Sequence, residues 1–183
     1  METRQRASKR SDEELLNNVA EGNSEVLVEL FELYKTDVYR LALLILKDLQ
    51  TAQDVTQEVF VKVKRHASEI RSENVKAWIM AITRNTAHNV FEKQKHEIVY
   101  ENEFFYNIPD ENYNSLEFYD LISALEEIDQ EIITLYIVNG LKHKEIAGVV
   151  HLKESLVRKR YTRALKRLKN IITNSNEGSL CNE

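Results

Sequence analysis

An all-α protein of two small helical domains is what this sequence predicts, and three observations predict it. Apolar residues recur at three- and four-residue steps through most of the chain, the period of a helix with one buried face. Four Gly and one Pro in 183 residues leave few natural strand turns. Charge falls into three blocks: residues 1–95 hold 15 Lys/Arg and 15 Asp/Glu, residues 96–140 hold 11 Asp/Glu and no Lys or Arg, and residues 141–183 hold 10 Lys/Arg and 4 Asp/Glu. That segregation divides the chain into a four-helix N-terminal unit over 12–96, an acidic linker over 97–115, a C-terminal helix-turn-helix unit over 116–173 and a frayed tail over 174–183.

Asp12 to Ala20 can form a short helix, broken by Glu21-Gly22-Asn23, with Ser24 placed to cap the second helix. Leu27, Leu30, Phe31, Tyr34, Val38, Leu41, Ala42 and Ile45 make one apolar face of that long second helix. Lys47 to Thr51 turns the chain, and either Asp48 or Thr51 can cap the third helix. The third helix turns Val55, Val59, Phe60 and Val63 inward and leaves Asp54, Gln57, Glu58 and Lys62 for the surface. A polar loop, Ser68 to Asn74, leads to a fourth helix over about Val75–Lys95, with Ala77, Trp78, Ala81, Ile82 and Val90 apolar and Trp78 read as core.

Periodicity is lost over 97–116, although Phe104, Phe105, Tyr106 and Tyr113 could dock on a surface. It resumes in helices over about Leu116–Leu125, Asp129–Val138, Lys144–Val150 and Glu154–Thr173, with Gly140 suited to a left-handed helix end. Lys153 stands where a Ser or Thr would cap the last helix, and Ser155 could cap it two residues late.

Composition excludes several classes. Cys181 is the single cysteine, which rules out an internal disulfide and fits a reducing cytoplasm. The longest apolar run, Leu41 to Leu46, is far short of the roughly 18 residues a membrane span needs. His66, His88, His96, His143 and His151 are scattered without metal-ligand spacing, and no Gly-rich phosphate loop is present. Neither a cofactor nor a catalytic site is expected.

Three motifs carry more information. Ala52-Gln53-Asp54-Val55-Thr56-Gln57-Glu58-Val59-Phe60 stands in the third helix, and Trp78-Ile79 followed by Ile82-Thr83-Arg84-Asn85 in the fourth. Gly140-Leu141, Glu145-Ile146-Ala147 and Val157-Arg158-Lys159-Arg160, ending in Arg163-Ala164, form a helix-turn-helix whose second helix is basic, in a chain of net charge -5. In this order and spacing they resemble the bacterial sigma-70 family, specifically its small extracytoplasmic-function group, over roughly residues 12–172.

The resemblance implies a role for each segment. Asp54, Gln57 and Glu58 lie at i, i+3 and i+4, a pattern that by spacing alone fits a solvated face. In the family this face, here with Lys62, grips the clamp helices of core RNA polymerase. Asn74, Arg84, Asn85, His88, Asn89 and Lys93 would take the promoter -10 element with the loop Glu69 to Asn74, Asn reading base edges and Arg or Lys gripping phosphate. Lys144, Arg158, Lys159, Thr162, Arg163 and Lys166 would take the -35 element, with Arg160 facing inward or toward phosphate. The acidic block would thread a basic polymerase channel or lie against the basic helix of the free protein.

The expected partners are therefore core polymerase, through its clamp helices and flap, promoter DNA and an anti-sigma factor. The expected location is the cytoplasm, at the nucleoid or held at the membrane by the inhibitor. The rival reading is a stand-alone dimeric helix-turn-helix regulator.

Overall fold

The computed structural model describes residues 12–69, 74–97 and 114–179. Among them the regular elements are helical: α1 (Asp12–Ala20), α2 (Ser24–Leu46), α3 (Leu49–His66) with a 3₁₀ turn at Ala67–Glu69, α4 (Val75–Glu97), α5 (Asn114–Ser123), α6 (Glu127–Ile137), α7 (His143–Val150) and α8 (Glu154–Ser179). The linker expected over 97–115 falls almost wholly outside the described residues, as do Phe104, Phe105, Tyr106, Tyr113 and Cys181.

Helix α2 is the axis of the N-terminal unit. Its predicted stripe is buried at Leu30, Tyr34, Val38, Leu41, Ala42 and Ile45, while Leu27 and Phe31 pack half-buried at its margin. Helices α1, α3 and α4 pack around it. Val55, Val59, Phe60 and Val63 of α3 and Ile79, Met80 and Ala87 of α4 are buried, and Trp78 packs half-buried on the same core. Burial of α2 reaches beyond one stripe near its end, where Leu43, Leu44 and Leu46 are also covered.

Two caps differ from the sequence expectation. Asn23, and not Ser24, caps α2: its Oδ1 accepts from the backbone N–H of Glu25 at 3.1 Å and Val26 at 3.4 Å. Asp48, and not Thr51, caps α3, with Oδ1 accepting from Thr51 N–H at 2.7 Å. Both winners have extended backbones just outside the helix, where a side-chain oxygen can reach the unpaired first-turn amides. Replacing Asn23 with alanine should lower the stability of this unit by about 1 kcal/mol. Urea unfolding followed by fluorescence of Trp78, the single tryptophan, is the measurement.

In the C-terminal unit α6 packs on α7 and α8, and α7 on α8. Ile132, Ile133, Leu135, Ile146 and Val157 are fully enclosed. Gly140 has φ 69°, the left-handed turn its sequence position suggested. His151, in the turn between α7 and α8, also has a left-handed backbone (φ 55°), which an L side chain adopts at a cost.

The start and end of α8 correct the sequence reading. The helix begins at Glu154, with the Lys153 carbonyl accepting from Leu156 and Val157 N–H, so Ser155 lies inside its first turn and does not cap it. Burial of Val157 fixes that register. At the other end α8 continues to Ser179, beyond the fraying expected from Asn174. Extending an existing helix costs far less than nucleating one, so weak formers can follow a packed segment.

Candidate functional site

The candidate residues occupy three surfaces. On α3, Asp54, Gln57 and Glu58 are exposed above the buried Val55/Val59 stripe. Lys62 is turned aside: its Nζ lies 2.7 Å from Glu58 Oε1 and donates to Thr86 Oγ1 on α4 at 3.0 Å. Val61 is 57% exposed on the same face, three residues after Glu58 and four after Gln57. Sequence reasoning misses it because a lone valine beside a buried stripe is usually counted as core; carrying the i+3/i+4 steps one turn further would find it.

On α4 the six candidates separate into two groups. Asn85, Asn89 and Lys93 are exposed and step by four along one stripe. Arg84 and His88 occupy the neighbouring stripe and meet Glu131 of α6. Arg84 Nε donates to Glu131 Oε2 at 2.5 Å, and His88 Nε2 lies 2.8 Å from Glu131 Oε1. The Glu131 side chain is 5% exposed, so both carboxylate oxygens are enclosed by these partners. Asn74 sits before α4, where its Oδ1 accepts from Ala77 N–H at 2.9 Å and caps the helix. Its Nδ2 donates to Glu145 Oε1 of α7 at 2.8 Å. The other oxygen of Glu145 accepts from Lys142 N–H at 2.7 Å and caps α7, so two helix starts are tied through one pair of side chains. Residues 70–73 of the loop before α4 lie outside the described residues.

On the C-terminal unit, Lys144, Arg158, Lys159, Thr162, Arg163 and Lys166 are all exposed. Arg158 is held by Glu154 one turn back, with Nη2 to Oε1 at 2.6 Å. Both side chains are well exposed, so this i,i+4 pair contributes only about 0.3–0.5 kcal/mol and yields readily to a stronger acceptor. Arg160 turns inward, as expected, donating to Asp129 Oδ1 at 2.6 Å and Glu126 Oε2 at 3.1 Å. Arg163 Nη2 also donates to Asp129, at 3.2 Å to Oδ2. Tyr136, His143 and Tyr161 stack against one another beside this surface, with ring centroids 4.5–4.9 Å apart. Burial, and secondarily Tyr136, push the Tyr161 hydroxyl above its ordinary pKa, so the ring stays neutral next to the arginines. Among the described residues no group of three or more His, Cys, Asp or Glu is arranged to hold a metal ion.

The two halves correspond to two known family regions. The family model for Sigma-70 region 2 matches residues 30–97, and that for Sigma-70, region 4 matches residues 115–168. RNA polymerase sigma factor SigV of Bacillus subtilis is 30% identical over 145 residues, spanning 77% of this chain and 87% of that protein. The chain belongs to the sigma-70 family. Within it, the ECF RNA polymerase sigma factor SigM of the same organism is 28% identical over 149 residues, covering 77% of this chain and 91% of SigM. The fold of this sigma factor is shared with RpoE of Bartonella quintana, solved in complex with the anti-sigma factor NepR. The TM-score is 0.68 at 18% identity, over 79% of this chain and 95% of that one.

Sigma-factor chemistry is contact chemistry, and the three surfaces suit it: a polar helix face, an amide- and lysine-bearing stripe, and a basic helix. No described helix is long and apolar enough to cross a membrane.

Proposed function

We propose that this sigma factor recruits core RNA polymerase through α3 and directs it to promoters by reading two DNA elements, with the units divided near 12–96 and 116–173 by the linker over 97–115. Asp54, Gln57 and Glu58 would engage the clamp helices, with Val61 adding apolar contact and Lys62 released from Thr86 to join them. Asn74, Arg84, Asn85, His88, Asn89 and Lys93 would hold the -10 strand. Lys144, Arg158, Lys159, Thr162, Arg163 and Lys166 would hold the -35 duplex, where a bidentate Arg-to-guanine contact is worth about 1–3 kcal/mol. The C-terminal unit would also meet the polymerase flap.

The protein would work in the cytoplasm at the nucleoid and be withheld, there or at the membrane, by an anti-sigma factor. Support for that inhibitor comes from the structural likeness to RpoE, which is held by NepR.

One observation carries the reading. The two family regions are matched in order, and the helix that carries the region 2 motif presents Asp54, Gln57 and Glu58 to solvent. A buried or self-paired motif there would have argued for a purely structural role. Run-off transcription over a promoter library, with purified core polymerase and with or without this protein, is the test. Transcripts from particular promoters that require the protein are expected. Tight sequence-specific DNA binding with no effect on initiation would replace this reading with that of a stand-alone regulator.

A further inference from the structure

Three of the six side chains assigned to the -10 element are occupied by the protein's own C-terminal unit. Arg84 and His88 share the two oxygens of Glu131, and Asn74 donates to Glu145. These contacts are the polar part of a larger interface in which α4 packs on α7 and α2 on α6. A crevice at its edge is lined by Leu44, Ile45, Lys47, His88, Phe91 and Gln130. From this geometry we infer that the free protein closes on itself, Glu131 and Glu145 standing in for the phosphate and base-edge acceptors of the -10 strand. The inference rests on the assignment of α4 to that strand.

The chemistry of the mimicry is specific. A carboxylate with both oxygens engaged by a guanidinium and an imidazole offers what a phosphate would offer: two acceptors and a negative charge. The Asn74 amide, a group suited to a base-edge acceptor, meets the carboxylate oxygen of Glu145 in the same way. Closure covers α4 selectively. The α3 face at Asp54, Gln57 and Glu58 and the α8 face at Lys159, Thr162 and Lys166 remain open to solvent. A closed molecule can thus present its polymerase face and its duplex-binding helix while its strand-binding cations are taken, so strand capture must await separation of the units.

Glu131 is the residue on which closure turns, because a buried charge is tolerated only when paired. Removing its charge leaves Arg84 enclosed without a counter-ion, and separation of the units, which returns Arg84 to water, relieves that state without unfolding either one. Glu131→Gln keeps the volume and removes the charge.

The experiment pairs a distance with an affinity. Dyes on Lys64→Cys in α3 and Asn170→Cys in α8, both exposed positions, report separation by energy transfer in a Cys181→Ser background. A fluorescein-labelled random-sequence single-stranded 15-mer at low salt reports strand binding. Glu131→Gln is expected to lower transfer and tighten the strand about tenfold, within the usual range for coupled equilibria. Adding Arg84→Ala and His88→Ala should remove the gain in affinity while transfer stays low.

Unchanged transfer in a folded Glu131→Gln protein overturns the closure and leaves the assignment of α4 standing. Lowered transfer with no gain in affinity overturns the masking by showing that α4 does not bind the strand. Should Glu131→Gln fold poorly, Glu145→Gln serves instead, since its remaining oxygen can still cap Lys142 N–H; the same two shifts, smaller in size, are expected.

Discussion

Replacing Gln57 and Glu58 together with alanine should abolish promoter-specific transcription by core polymerase and weaken polymerase association on the order of a hundredfold. Each side chain would contribute a hydrogen bond that involves a charged group, worth about 1.5–3 kcal/mol. Losing two therefore amounts to about 3 kcal/mol or more, and every 1.4 kcal/mol is a factor of about ten. Both positions are exposed in the middle of α3, and alanine is the best helix former, so the fold has no reason to suffer. Lys62 loses its ion pair with Glu58 in this variant but keeps its bond to Thr86. Affinity chromatography or fluorescence anisotropy with core polymerase gives the binding, and far-ultraviolet circular dichroism checks that helicity is kept. A double variant that still associates normally would move the polymerase contact off α3.

Asp129→Ala should destabilise the C-terminal unit by about 3 kcal/mol, the cost of removing one partner from a buried ion pair. Asp129 is 4% exposed in the first turn of α6, and its two oxygens accept from Arg160 and Arg163 of α8. Arg160, whose side chain is 22% exposed, would keep only Glu126, whose side chain is largely in water. Near a helix N-terminus the aspartate also faces a favourable partial positive charge, worth about 0.3–1 kcal/mol. Hydrogen exchange of the α8 amides measures the loss. Asp129→Asn should recover part of it by still accepting one hydrogen bond. A change below about 0.5 kcal/mol would place the cluster with surface ion pairs, which contribute little. The pairing also orients Arg163, one of the residues proposed for the -35 element. Loss of Asp129 should therefore weaken duplex binding even at temperatures where the variant remains folded.

Much of this protein is legible in its sequence because helices write themselves locally. The stripe from Leu27 to Ile45 marks the buried face of α2, and the Val55/Val59/Val63 spacing does the same for α3, since a 3.6-residue period depends on no distant contact. Asp54, Gln57 and Glu58 are legible at the surface for the same reason. The capping residues are less so, because Asn23 and Ser24, or Asp48 and Thr51, satisfy the same local rule and only backbone geometry chooses between them. One trace of the higher level is present. Leu41 to Leu46 is an unbroken apolar run, more than a single helix face can use, and Leu44 and Ile45 line the crevice between the units beside α6.

The set of helices, their buried faces, the basic character of α8 and membership of the family are thus all written in residue order. The availability of polar side chains is not, and depends on how the units pack. Arg84, Asn85, His88 and Asn89 look alike in sequence as a polar stretch of one helix, yet Arg84 and His88 are bound to Glu131 while Asn85 and Asn89 face water. Glu131 stands 43 and 47 residues away from them, and Glu145 stands 71 residues from Asn74. Pairings of that separation arise where two units meet, and helical periodicity within either unit carries no record of it.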